Sequence, residues 1–118
     1  MAWTKLIDNY SGGPFTSDDL HVGGQEFARV IVDGILTSLE LQVWNAVTVP
    51  DGSGGFERQE GQVAEVNPAS GNPVGIALNV SGGLTIEVPC PGDFLFFKGV
   101  GAAGTATNLD VYIMDKNS

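Results

Sequence analysis

The stretch LTIEVPCPGDFLFFK, residues 84–98, narrows what this chain can fold into more than any other. Leu84, Ile86 and Val88 alternate with Thr85 and Glu87, the period of two that belongs to a strand with one buried face. Past the corner Pro89-Cys90-Pro91-Gly92, the residues Phe94, Leu95, Phe96 and Phe97 are apolar without alternation, so both sides of that second strand must be covered. The two prolines withhold backbone donors and Gly92 admits a positive φ, so the chain reverses there and the two strands are expected to form a hairpin. Such a segment belongs in a β-protein.

The flanking segments carry the same period. Phe27 to Val32 sets Ala28, Val30 and Val32 on one face and Phe27, Arg29 and Ile31 on the other, before the turn signal Asp33-Gly34. Ser38 to Trp44 turns Leu39, Leu41 and Val43 inward and Glu40, Gln42 and Trp44 outward, and the two segments are expected to pair as a hairpin. Asn45 to Gly61, with Pro50, Asp51-Gly52 and Gly54-Gly55, reads as a long hairpin loop returning at Phe56 to Gln59. Gln62 to Val66 reads as a short strand and Asn67 to Pro73 as a loop, while Val74 to Val80 is expected to meet Leu84 to Val88 through Ser81-Gly82-Gly83. Leu109, Val111 and Ile113 give the last segment its inward face, and no run combines helical periodicity with an N-cap.

The expected fold is therefore all-β: an antiparallel two-sheet β-sandwich, jelly-roll-like, with about six to eight strands and little or no helix. A chain of 118 residues holds one core. Residues 1–25 read as an N-terminal arm with an irregular first strand, and residues 26–118 as the sandwich domain. The expected core is Val30, Val32, Leu39, Leu41, Val43, Ile76, Leu78, Val80, Ile86, Val88, Phe94, Phe96, Val111 and Ile113.

Charge removes several functional classes. Fourteen acidic residues against five basic ones give a net charge of −9, which repels a phosphate backbone, and Lys5, Arg29, Arg58, Lys98 and Lys116 are scattered. No nucleic-acid partner is expected. No window reaches the roughly 20 apolar residues of a membrane helix, and the N-terminus lacks the pattern of a signal peptide, so the expectation is no membrane and synthesis in the cytoplasm. Cys90 is the single cysteine, which leaves an intrachain disulfide and a paired-cysteine zinc site out of reach.

Few residues are of a type suited to chemistry. His21 lies beside Asp18 and Asp19, a donor set suited to zinc or manganese, yet in a run that reads more simply as a solvated loop. Asp51, Glu57 and Glu60 offer oxygens to calcium without the spacing of a known loop, and Glu40, Glu87 and Asp93 lie on or beside strands, where carboxylates usually serve solubility. A catalytic triad would have one histidine to draw on, and no G-x-S-x-G elbow is present. The reading is not an enzyme, with no catalytic, cofactor-binding or metal residues assigned.

Surplus apolar surface is the more informative feature. Trp44 falls on the outward side of its strand, Phe27 and Ile31 lie opposite the inward set of theirs, Phe97 belongs to a strand with two apolar sides, and Trp3 sits next to a terminus. Trp3, Phe27, Ile31, Trp44 and Phe97 are thus the candidate interface residues; the other reading makes them a second layer of the sandwich.

The order of parts, with SLELQVW, an Asp-Gly loop, a Gly-Gly turn and the closing run VPCPGDFLFFKGVGAAGTATNLDVYIM, resembles the small β-sandwich head-decoration, or capsid auxiliary, proteins of tailed bacteriophages. The resemblance spans roughly Phe27 to Met114 and rests on structural motifs. It implies a non-enzymatic virion protein on the outside of a capsid, bound to the major capsid protein, stabilising the shell, self-associating as a trimer and assembled in the host cytoplasm. The alternative is a carbohydrate- or receptor-binding β-sandwich module of a phage fibre or tail, with Trp3, Tyr10, Trp44 and Tyr112 as stacking residues.

Overall fold

The computed structural model describes residues 2–115. Twelve strands follow one another: β1 (Ala2–Gly12), β2 (Phe15–Thr16), β3 (Leu20–His21), β4 (Phe27–Thr37), β5 (Glu40–Pro50), β6 (Phe56–Gln62), β7 (Ala64–Val66), β8 (Pro73–Gly75), β9 (Ala77–Leu78), β10 (Leu84–Pro89), β11 (Phe94–Val100) and β12 (Thr105–Asp115). Sheet A has the order β1-β12-β4-β10. Sheet B has the order β2-β11-β5-β6, with β3 also on β11 and β9 also on β5, and β7 with β8 forms a separate hairpin. All of the pairings are antiparallel.

Counting β2 and β3 as one interrupted strand and setting aside β6, β7 and β8 leaves an eight-strand frame, β1-β12-β4-β10 facing (β2, β3)-β11-β5-β9. Successive strands of that frame alternate between the sheets, apart from β5 and β9, which pair with each other. This is the path of a jelly roll, and β6 to β8 are an insertion in it.

The alternation overturns three expected hairpins. β4 runs on to Thr37 and reaches β5 through Ser38 and Leu39 alone, but β4 lies in sheet A and β5 in sheet B. Ser38 has φ 56°, a left-handed conformation that turns the chain across the sandwich. The Pro89 to Gly92 corner likewise carries β10 of sheet A over to β11 of sheet B, held where the Cys90 amide donates to the Glu26 carbonyl at 2.9 Å. β9 and β10 are in different sheets as well. The long loop after Asn45 does return as expected, with β5 and β6 paired from Trp44↔Gln62 to Pro50↔Phe56.

The first residues, read from sequence as an arm and an irregular strand, lie along β12 from Ala2↔Asp115 to Gly12↔Ala106, with three register shifts on the way. At one of them Asn9 takes φ 49°, and its amide donates to Asp110 Oδ1 at 2.7 Å.

Between the sheets lie Ala28, Val30, Val32, Val88, Leu109, Val111 and Ile113 from sheet A and Leu41, Val43, Leu95 and Phe97 from sheet B. The expected phase of β11 is therefore reversed. Leu95 and Phe97 point inward at 0 % exposure, while Phe94 and Phe96 lie on the outer side, where Phe96 is covered by other means. Ile76, Leu78 and Ile86 pack on the core from its margin and remain half-buried.

Candidate interaction surfaces

Strand parity builds the outer face of sheet A. With Ala28, Val30 and Val32 buried, β4 turns Phe27, Arg29 and Ile31 outward; with Leu109, Val111 and Ile113 buried, β12 turns Asp110, Tyr112 and Met114 outward. The register then sets Trp3 beside Met114, Tyr112 between Lys5 and Ile31, Thr85 beside Ile31, Glu87 beside Arg29, and Pro89 beside Phe27. Trp3 is 43 % exposed and Phe27 46 % exposed, whereas Ile31, Tyr112 and Met114 are half-buried by their neighbours. Three of the five expected interface residues, Trp3, Phe27 and Ile31, thus share one face.

Charge on this face is mostly paired. Lys5 Nζ lies 2.8 Å from Asp8 and 3.1 Å from Asp110, and 5.2 Å from the centre of the Tyr112 ring. Hydrogen bonds from Asp8 and then Asp110 hold the Lys5 ammonium above its ordinary range; the Asn9 amide, then Lys5, hold Asp110 below the ordinary carboxylate value. Arg29 is exposed and is the one basic residue among the described residues without an ion pair.

Trp44 lies elsewhere, on the outer face of sheet B. Opposite it across the strands is Phe96, with ring centres 6.3 Å apart. Lys98 Nζ stands 3.7 Å from the centre of the Trp44 ring, and the Arg58 guanidinium 5.3 Å from that of Phe96. Arg58 in turn donates to both Asp19 oxygens at 2.7 and 2.9 Å and to Glu60 at 2.7 Å, which keeps its guanidinium firmly protonated, Asp19 contributing most. Phe96 is 1 % exposed because these long side chains lie over it. Phe97, on the opposite side of the same strand, is interior and presents no surface at all.

Two other residues weighed for chemistry have structural partners. Asp51 Oδ1 accepts the amides of Ser53 and Gly55 at 2.8 and 3.1 Å and so shapes the β5–β6 tip, and His21 meets Phe94 edge-on at 5.4 Å. Among the described residues no three of His, Cys, Asp and Glu are grouped to hold a metal. The four aromatic residues considered for sugar stacking do not form one platform, although two of them share a face. Trp3 and Tyr112 are on sheet A, Trp44 is on sheet B under Lys98, and the Tyr10 hydroxyl donates to the Gly13 carbonyl at 2.8 Å beside Phe15.

Of the exposed apolar residues that the sequence did not single out, Ile35 lies in β4, Val100 in β11 and the other three in the insertion. Phe56 is 72 % exposed, Val66 66 % and Val74 53 %. Phe56 stood in an irregular Gly-rich run, where periodicity has nothing to say; the usable signal was a lone aromatic beside a Gly-Gly turn.

Cys90 carries a pH prediction. Burial pushes its thiol from 9.0 up to about 11. The folded form holds the proton more tightly than the unfolded form, so its contribution to stability is complete below pH 9 and fades as pH rises towards 11. Urea midpoints of the wild type should fall across that window, and those of Cys90→Ala should fall less. An equal fall in both would show that the thiol is not the group responsible.

No protein-family model matches the sequence, and no curated protein sequence matches it. Among solved structures, the crystal structure of the SPBc2 prophage-derived protein YomS aligns over 96% of this chain and 94% of its own, with a TM-score of 0.55 and 15% sequence identity. What the two chains share is the fold, over nearly their whole lengths.

Proposed function

We propose that this chain is a non-enzymatic structural protein of a phage particle, seated on the outside of the capsid against the major capsid protein and stabilising the shell. The observation that carries the reading is the outer face of sheet A, which carries Trp3 from β1 and Phe27 and Ile31 from β4, with Tyr112 and Met114 of β12 between the two strands. Aromatic residues on a rigid sheet are suited to anchoring a protein interface, since they bury much area at little entropic cost. The prophage origin of a protein with the same fold supports the setting. A net charge of −9 favours a partner surface rich in Lys and Arg. Self-association on the shell belongs to the same reading.

Each bound copy would favour the assembled shell by linkage, because it binds that state and not free subunits. Purified protein mixed with particles lacking it should co-sediment with them and raise the temperature at which they lose their contents. A Trp3→Ala, Phe27→Ala double variant should keep its fold and bind at least tenfold more weakly, the equivalent of about 1.4 kcal/mol. Absence of binding to the shell, together with specific retention on a glycan array, would replace this reading with the carbohydrate-binding one.

A further inference from the structure

The two sheets leave margins open at β1 and β10 and at the β2/β3 and β6/β9 sides. Most are blunted in the ways natural sheets avoid pairing with other chains. β1 breaks register three times, β2, β3 and β9 have two residues each, and β6 carries Glu57, Arg58, Gln59 and Glu60 in succession. β10 is different. Its six residues keep one register on β4 from Leu84↔Val32 to Pro89↔Phe27, with no shift. Leu84 and Ile86 point at the core yet stay half-exposed, since no strand lies beyond them. Thr85 and Glu87 point out and are exposed.

We propose that β10 is a strand-pairing site, and that its occupant is β10 of a second copy, joined antiparallel about a two-fold axis at Ile86. Residues opposite one another in an antiparallel pair share a face, so outward Thr85 and Glu87 can meet only outward positions of the partner. The axis therefore falls on a residue and not between two, and within Leu84–Pro89 only axes at 86 and 87 keep five residues paired. An axis at Glu87 sets two carboxylates against each other, and one at Thr85 carries Glu87 past the end of the strand onto Gly83. An axis at Ile86 keeps Leu84 to Val88 in the ladder and sets each Thr85 hydroxyl to donate to the opposite Glu87 carboxylate. The pattern Thr-Ile-Glu is thus complementary to its own reverse, which favours a second copy over a foreign strand. The two copies of sheet A become one sheet, and Leu84 and Ile86 lose their remaining exposure. With −9 on each copy, the pairing should tighten as salt rises.

The inference does not depend on the capsid reading, and it gives a two-fold assembly where the phage resemblance implies a trimer. Sedimentation of the full chain at tens of micromolar should give the mass of a dimer, tens of micromolar being an order of magnitude set by the affinity scale. Thr85→Glu faces Glu87 of the other copy twice and should weaken the dimer at least tenfold; adding Glu87→Lys should restore it. In a Cys90→Ala background, Thr85→Cys with Glu87→Cys should give a disulfide-linked dimer on mild oxidation, and neither cysteine alone should. A monomer or trimer mass, failure of the charge reversal to rescue, or cross-linking by a single cysteine would each overturn the proposal. Thr85 and Glu87 are exposed and Cys90→Ala, the one buried change, serves only as the background of the cross-linking variants, so a thermal melt of each variant against its own background confirms that the fold is retained.

Discussion

Phe97→Ala is expected to destabilise the protein by about 3–5 kcal/mol, whereas Phe96→Ala, one residue away, costs it far less. Phe97 lies between the sheets at 0 % exposure, in contact with core side chains that are themselves held by two ladders. Removing a buried phenyl ring from such a place costs about 3–5 kcal/mol, set against a total of about 5–15 kcal/mol for a domain. Phe96 is as well covered, at 1 % exposure, but by Trp44, Arg58 and Lys98 at the surface. Long side chains can settle into the space and water can reach it, so the cost there should be about 1–2 kcal/mol. Urea midpoints of the two variants decide the matter. A cost for Phe96→Ala equal to that for Phe97→Ala would mean that the outer layer is as rigid as the core.

That comparison also shows where the sequence stops being informative. Alternation of apolar and polar residues assigns faces, and it did so correctly for β4, β5 and β12, where Arg29, Glu40 or Asp110 marks the outside. In Phe94 to Phe97 both parities are apolar, so the period carries no sign. The inward choice is made by register with β5: Phe97 stands beside Val43, and Phe96 beside Trp44. Similarly, a short polar link between two strands looks the same whether the strands pair or cross to opposite sheets. Asp33-Gly34 and the Pro89 to Gly92 corner therefore read as hairpin turns, whereas Asp33-Gly34 lies within β4 and both Ser38-Leu39 and the Pro89 to Gly92 corner are crossings.

The candidate surface was legible in its residues and not in its arrangement. Trp3, Phe27 and Ile31 stood out because each lies opposite a buried set or beside a terminus, but only the β1-β12-β4 order puts them on one face. Trp44 was singled out by the same rule and belongs to another face. Its neighbours Phe96 and Lys98 arrive from β11, and the Arg58 that lies over Phe96 arrives from β6, distances along the chain that no local pattern spans.

Gly34→Ala is expected to cost about 2–6 kcal/mol and to loosen β12 from β4 at a bulge. Gly34 has φ 133°, a conformation that side chains rarely adopt, and an added Cβ would lie 2.8 Å from both the Asn108 carbonyl oxygen and Leu109 Cα. The strain in φ accounts for about 1–3 kcal/mol and the collision for a further 1–3 kcal/mol or so. Backbone atoms cannot rotate aside as a side chain would. The ladder between β4 and β12 breaks register here, between Thr107 and Asp110, and Asn108 at φ 49° donates its amide to Ser11 Oγ at 3.0 Å. Pushing this segment outward would therefore disturb β1 as well as β12. Gly82→Ala is the control, because Gly82 has φ 93° but open space where its Cβ would fall, so only the strain remains, about 1–2 kcal/mol. Urea midpoints give the two costs, and hydrogen exchange at β1 and β12 shows how far the damage spreads. Equal costs at Gly34 and Gly82, with unchanged protection of β1, would mean that the bulge yields freely and that the close approach of the two strands contributes nothing to stability.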